Sequence, residues 1–312
     1  MLSVLAIVLP VFALIFAGWL ARRSGALGPH STSELNRFVV QLALPALLFD
    51  VVANARWQQL WHPGFIASFG GGTALLFAAT VWWRRRRGHA LADASIDGLN
   101  AAYANTGFVG FPLAVAALGQ SALAPTLVAT LLTVCVLFAA AIVLIEIGLQ
   151  REQRLHHLLG KVARSLLRNP LLLAPLAGVL PMALGLSMPA PAETFLKLLG
   201  GAAAPCALIA LGLFLGERRS PVPGAGRSAV VLGGLKLLVH PLLVWLLATQ
   251  VFALPAALAH AAVLMAVLPT GTGPFMLAEF HRREASTTAA TVLGTTLLSL
   301  LTVTGYLALL QL

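Results

Sequence analysis

The sequence predicts an all-α polytopic membrane protein: ten transmembrane helices as two inverted five-helix repeats, with broken crossing helices at the fourth and ninth spans. Three observations predict it. Of 312 residues, 59% are hydrophobic and 10% charged, with a mean hydropathy of +0.91, against an apolar share of about 45–50% in soluble domains. The basic residues collect in alternate gaps between apolar runs, and the two halves of the chain weakly repeat one another.

About 20 apolar residues cross a bilayer. Cutting the apolar runs at charged or Pro/Gly clusters places spans at about 2–21, 34–53, 64–83, 92–118, 122–149, 169–187, 193–216, 228–251, 256–281 and 286–311. No basic segment precedes the first run, and Arg22–Arg23 follows it, so it reads as a retained span rather than a cleaved leader. Cys135 and Cys206 lie within long apolar runs, where small apolar packing is the default role.

A net charge of +10 would point to nucleic acid in a soluble chain. Here its location gives it another meaning. Arg22, Arg23 and Arg37 follow the first span, Arg84 to Arg87 the third, Arg151, Arg154, Lys161, Arg164 and Arg168 the fifth, Arg218, Arg219 and Arg227 the seventh, and Arg282 and Arg283 the ninth. Only Arg56, Lys197 and Lys236 lie elsewhere. Cytoplasmic loops accumulate Lys and Arg, so the odd-to-even gaps are expected in the cytoplasm and both termini on the non-cytoplasmic side. Arg84 to Arg87 then read as a stop-transfer anchor, and the lipid bilayer, not nucleic acid, is the expected partner. The excess of Arg over Lys and the short loops suggest a bacterial inner membrane.

The repeat sets the domain plan. QLALPALLF at 41–49 resembles AAAPCALIA at 202–210, and Thr106-Gly107 recurs as Thr270-Gly271. Five crossings per copy force the second copy to insert upside down, the plan of many secondary transporters. The expected units are 1–149, a first five-helix repeat; 150–168, a cytoplasmic amphipathic linker; and 169–312, the second repeat. The linker places basic residues opposite Leu155, Leu158, Leu159 and Val162, which suits the membrane surface.

Two spans interrupt their own pattern near the middle: YANTGFVGFPL at 103–113 and LPTGTGPFMLAEF at 268–280. Proline removes a donor and crowds the preceding turn, and glycine permits unwinding. Unwound backbone at membrane depth persists only where it is buried or lines a polar cavity, and paired interruptions in two inverted halves point to a substrate site. Half-helices starting there aim unpaired N–H groups and partial positive charge inward, which suits a carboxylate. Asn105 can donate from its amide, and Thr106, Thr270 and Thr272 from hydroxyls. The expected substrate is a small organic anion, with Gly107, Gly110, Pro112, Pro269, Gly271, Pro274 and Phe275 completing the site. The simpler reading, that these prolines and glycines are ordinary kinks, applies to Pro10, Pro45, Pro175, Pro205 and Pro241.

Intramembrane ionisable residues are functional candidates by default. Lys236 and His240 are one turn apart, so His240 could carry a coupled proton with Lys236 beside the substrate anion. Alternatively Lys236 snorkels to the interface and His240 packs with a hydrogen bond. Glu279 is a second proton-site candidate. Asp97 reads either as a helix-start carboxylate or as a gate at the cytoplasmic mouth. No metal site or cofactor is expected; a proton or Na⁺ could serve as coupling ion, the latter held by backbone carbonyls at the breaks. The chain carries no His-Glu-x-x-His helix, no Gly-x-Ser-x-Gly elbow and no paired mid-membrane aspartates, so the reading is a transporter rather than an enzyme.

These residues resemble the auxin efflux carrier family, with its bacterial homologues, within the bile acid/sodium symporter-like fold superfamily. Asn105-Thr106, Gly110 and Pro112-Leu113 are similar to the family's Asn-Thr-x-x-x-Gly-x-Pro-Leu motif in the fourth span, and Leu268-Pro269, Gly271 and Pro274-Phe275 to its partner in the ninth. The resemblance implies broken helices crossing mid-membrane, a scaffold of spans 1, 2, 6 and 7, a transport unit of spans 3–5 and 8–10, elevator-type alternating access and a homodimer. It implies that Asn105 contacts the substrate carboxylate and that the chain is a permease; bacterial relatives are associated with small carboxylates such as malonate and malate as well as auxin-like compounds, so the family name does not fix the substrate. The alternative is an uncoupled, potential-driven exporter or channel-like facilitator of auxin-like or other hydrophobic weak acids. Plant members carry a proline before the motif's asparagine, where this chain has Ala104, and a long hydrophilic loop where it has the short linker.

Overall fold

The computed structural model describes residues 2–56, 61–150, 164, 167–217, 224–283 and 285–309. Among them the chain is entirely helical apart from turns, loops and one isolated bridge. Among the described residues six helices, between 23 and 30 residues long, are apolar enough to cross a bilayer: α2 (Ser31–Ala53), α3 (Pro63–Arg86), α6 (Gln120–Leu149), α8 (Ala190–Gly216), α9 (Ala225–Val251) and α12 (Ser286–Leu309). The chain is therefore a polytopic membrane protein, and these helices start and stop within a few residues of the places where the apolar runs were cut. The others are α1 (Leu2–Arg23), α4 (Leu91–Ala102), α5 (Phe111–Leu118), α7 (Pro170–Leu184), α10 (Ala256–Val267) and α11 (Gly273–Phe280). The amphipathic linker expected at 150–168 lies almost wholly outside the described residues.

Several helices contain a widened, π-helical turn, and three of these lead into a proline: Val39–Ala43 before Pro45, Thr106–Gly110 before Pro112, and Leu235–Val239 before Pro241. Proline cannot donate and its ring crowds the carbonyl one turn back; a widened turn relieves that crowding without ending the helix. Pro45 and Pro241 are thus absorbed inside α2 and α9.

Two packing groups emerge from the helix pairs in most extensive contact. α1 runs along the second half of α8, and α7 along α2. Separately, α3 packs on α4, α4 on α6, α9 on α12, and α10 on α6 and α9. Without a hydrophobic drive between helices in lipid, small residues that let backbones approach become the adhesive. At Gly212 of α8 a Cβ would stand 2.0 Å from Ile15 O of α1, and at Gly18 of α1 one would stand 2.2 Å from Ile209 O. Both obstacles are backbone, so neither can swing aside. Gly212→Ala is expected to destabilise the protein by about 1–3 kcal/mol, the usual cost of overpacking, seen as a lower thermal midpoint in detergent. An unchanged midpoint would mean that α1 and α8 do not approach this closely.

Candidate functional site

The site begins where α4 and α10 stop. α4 ends at Ala102 and Tyr103 is extended, with φ −80° and ψ 99°. α10 ends at Val267 and Leu268 is extended, with φ −61° and ψ 152°. The two extended segments pair antiparallel, Ala104 opposite Thr270. Asn105 N–H donates to Pro269 O at 2.9 Å, and Gly271 N–H to Tyr103 O at 3.0 Å. Each break thereby supplies a backbone partner that the other has lost, which is how non-helical backbone can persist among apolar helices. Neither bond uses the N–H of residue 104, so Ala104, where the plant carriers have proline, costs this bridge nothing.

Helices resume on the far side of each break, at Thr106 and at Gly273. Thr106 N–H donates back to Ala104 O at 2.9 Å; helix starts leave their first N–H groups without intrahelical partners and carry the positive end of the helix dipole. Between these helix starts and the α2–α8 pair lies a cavity of about 350 Å³. Asn105, Thr106, Gly107, Gly271, Thr272 and Gly273 form its polar end. Leu44, Leu47, Leu48 and Val51 of α2 and Gly200, Gly201, Ala203, Ala204 and Ala207 of α8 form its apolar wall. Among the described residues, none that lines it is Asp, Glu, Lys, Arg or His. An anion here would meet dipoles and amide donors rather than a counter-charge.

Asn105 is only 6% exposed, and among the described residues its side-chain amide has no partner. Thr106 Oγ1 is buried and also without a partner among the described residues. Tyr103 fixes the floor. Its ring stacks obliquely on Phe138, with centroids 5.6 Å apart, and lies so close to the second break that a Cβ on Gly271 or Gly273 would stand 2.8 or 2.7 Å from it.

The other residues picked from the sequence serve the frame of the site rather than its surface. Thr270 turns away from the cavity: its hydroxyl donates to Asn100 O at 2.8 Å, and its N–H donates to Thr295 Oγ1 at 3.1 Å. Pro269 contributes its carbonyl to the bridge. Pro112 and Pro274 sit in the first turns of α5 and α11, where a missing N–H costs nothing. Gly110 lets Leu268 and Met265 approach, and Phe275 is buried edge-on against Phe214, with centroids 5.2 Å apart.

Lys236 and His240 do not line the cavity. Lys236 does not snorkel either: it is fully buried, its ammonium on Ala266 O. Asp97 forms a buried ion pair with Arg84, Oδ2 to Nε 2.6 Å, tying α4 to the end of α3. Asp93 similarly holds Arg283, which pushes that guanidinium's pKa up. Glu279 lies at the end of α11, away from the cavity lining.

Sequence reasoning missed Tyr103, Thr130 and the α2–α8 wall. The wall had a signal: Leu44, Leu47 and Leu48 lie in the repeated segment 41–49, and Ala203, Ala204 and Ala207 in its partner 202–210.

Comparison with known proteins finds a family and several relatives. The sequence pattern of the family described as "Membrane transport protein" matches residues 3–307. A protein of Rhizobium meliloti (strain 1021) named "Putative malonate transporter" is 33% identical over 315 residues, covering 100% of this chain and 97% of its own. An "Uncharacterized transporter" of Methanothermobacter thermautotrophicus is 30% identical over 241 residues, 76% of this chain and 75% of its own. "Auxin efflux carrier component 3a" of Oryza sativa subsp. japonica is 31% identical over 138 residues, covering 43% of this chain and 22% of its own.

Proposed function

The chain belongs to the membrane transport protein family, that of the auxin efflux carriers, and on that premise we propose that it is a secondary carrier for a small organic carboxylate. The observation that carries this reading is the convergence of two helix starts and Asn105, whose side chain is unpartnered, on one cavity without charged side chains among the described residues. Such a site attracts a carboxylate through N–H groups and dipoles, while its apolar wall accepts the rest of the molecule. That wall also suits the hydrophobic weak acids of an auxin-like substrate. The name of the Rhizobium meliloti relative adds malonate to the substances to be tried.

In this proposal the chain crosses the membrane ten times as two inverted repeats, 1–149 and 169–312, joined by the linker at 150–168. Spans 4 and 9 cross at the Ala104–Thr270 bridge. α1, α2, α7 and α8 act as scaffold and the remaining helices as the moving unit. The cavity's position between the α2–α8 wall and the break supports elevator-type exchange, since sliding one group past the other carries the bound anion with the break. The homodimer, the bacterial inner membrane and non-cytoplasmic termini belong to the same reading.

Uptake of radiolabelled carboxylates into proteoliposomes tests it. Saturable, competable uptake is expected; unsaturated flux of high conductance would mean a channel. In the same assay Pro269→Ala and Pro274→Ala should lower uptake by about tenfold, the effect of 1.4 kcal/mol, while Pro10→Ala, inside α1, stays near wild type. Equal effects at all three prolines would reduce the breaks to ordinary kinks.

A further inference from the structure

Behind the break lies a second polar centre that takes no part in the cavity. Lys236 and His240 stand one turn apart on α9 with no exposed surface, and Thr73 faces them from α3, also buried. Lys236 Nζ donates to Ala266 O at 2.7 Å and lies 3.0 Å from His240 Nδ1. His240 Nε2 lies 2.9 Å from Thr73 Oγ1, and Phe69 covers the imidazole with its centroid 5.9 Å away. Among the described residues no carboxylate pairs with Lys236.

A buried ammonium without a counter-ion is expensive, so something must compensate it. Ala266 lies in the last turn of α10, one residue before its end. There the final carbonyls lack intrahelical partners and the helix dipole is negative. α10 is also left open: its extended cap, Leu268, returns no backbone N–H to the helix, unlike the caps of α4 and α11. The lysine supplies the donor and the positive charge that this helix end lacks, two residues before the extended segment begins at Leu268 and four before Thr270, which pairs with Ala104.

We propose that Lys236 is a resident cation. Its tethered ammonium occupies a small cation site made by Ala266 O and His240 Nδ1, and it holds the second break closed as a bound alkali ion would. Lys236 is thus a positioning residue, acting on the cavity through residues 268–272. This inference concerns the frame behind the cavity, and its test needs no substrate.

The test is amide hydrogen exchange at 268–272, together with the thermal midpoint, in detergent-purified protein. Wild type is compared in sodium chloride and in choline chloride. Lys236→Ala and Lys236→Met are compared with and without propylammonium chloride, whose ion replaces the atoms lost in the alanine variant. Wild type is expected to behave alike in sodium and choline. Both variants should exchange at least tenfold faster at 268–272, and only Lys236→Ala should recover with propylammonium, saturably, because the methionine fills the vacancy. That selective rescue separates a missing cation from a merely damaged core. Protection in wild type that requires sodium would overturn the proposal, since a free cation would then do the work. So would wild-type exchange in Lys236→Met, which decides the matter even if Lys236→Ala does not survive purification.

Discussion

Asn105→Asp is expected to leave the protein folded and to abolish binding of carboxylates. The side chain sits at the polar end of the cavity, 6% exposed and without a protein partner among the described residues, so its replacement breaks no internal hydrogen bond. The aspartate places a negative charge where the anion must sit, and like charges at close range in a poorly hydrated cavity repel strongly. Asn105→Ala removes only the donor. A lost hydrogen bond to a charged group costs about 1.5–3 kcal/mol, so that variant should bind about 10- to 100-fold more weakly. Binding titrations with a wild-type melting profile as control check both. Wild-type affinity in Asn105→Asp would remove this residue from the site.

Gly273→Val is expected to have a comparable effect by another route. A Cβ at this position would stand 2.7 Å from Tyr103 Cζ and 3.0 Å from its hydroxyl oxygen. The ring is backed by Phe138, and the Tyr103 carbonyl accepts from Gly271 N–H, so the collision is passed into the bridge itself. Transport should fall by about a hundredfold or more, the effect of about 3 kcal/mol of strain at the break. Gly305→Val is the control, because nothing stands within 4 Å of a Cβ there. Equal activity of the two variants would show that the Tyr103 floor is not rigid.

The sequence disclosed what depends on local chemistry. Apolar length located the helices, and Gly, Pro and Thr clusters located both breaks, since interrupting a helix needs particular residues at particular places. The repeated Thr-Gly pairs marked corresponding positions, yet the two threonines do different jobs: Thr106 lines the cavity, whereas Thr270 braces α4 and α12 through Asn100 O and Thr295. That difference arises from tertiary neighbours, which no spacing reveals. Lys236 shows the same limit. The sequence allows it to snorkel to the interface, but the open end of α10 gives it an internal partner. The α2–α8 wall needs two segments far apart in the chain, and only their repetition hinted at it.

Binding of an organic carboxylate in the cavity beside Asn105 is checked by a thermal-shift titration. Purified protein and the Asn105→Asp variant are titrated with malonate, malate, lactate and indole-3-acetate. A ligand that binds the folded state raises the midpoint by mass action. At least one carboxylate should raise the midpoint of the wild type and leave the variant unmoved. A rise of equal size in both proteins, or none in the folded wild type with any of the four, would mean that no carboxylate binds beside Asn105.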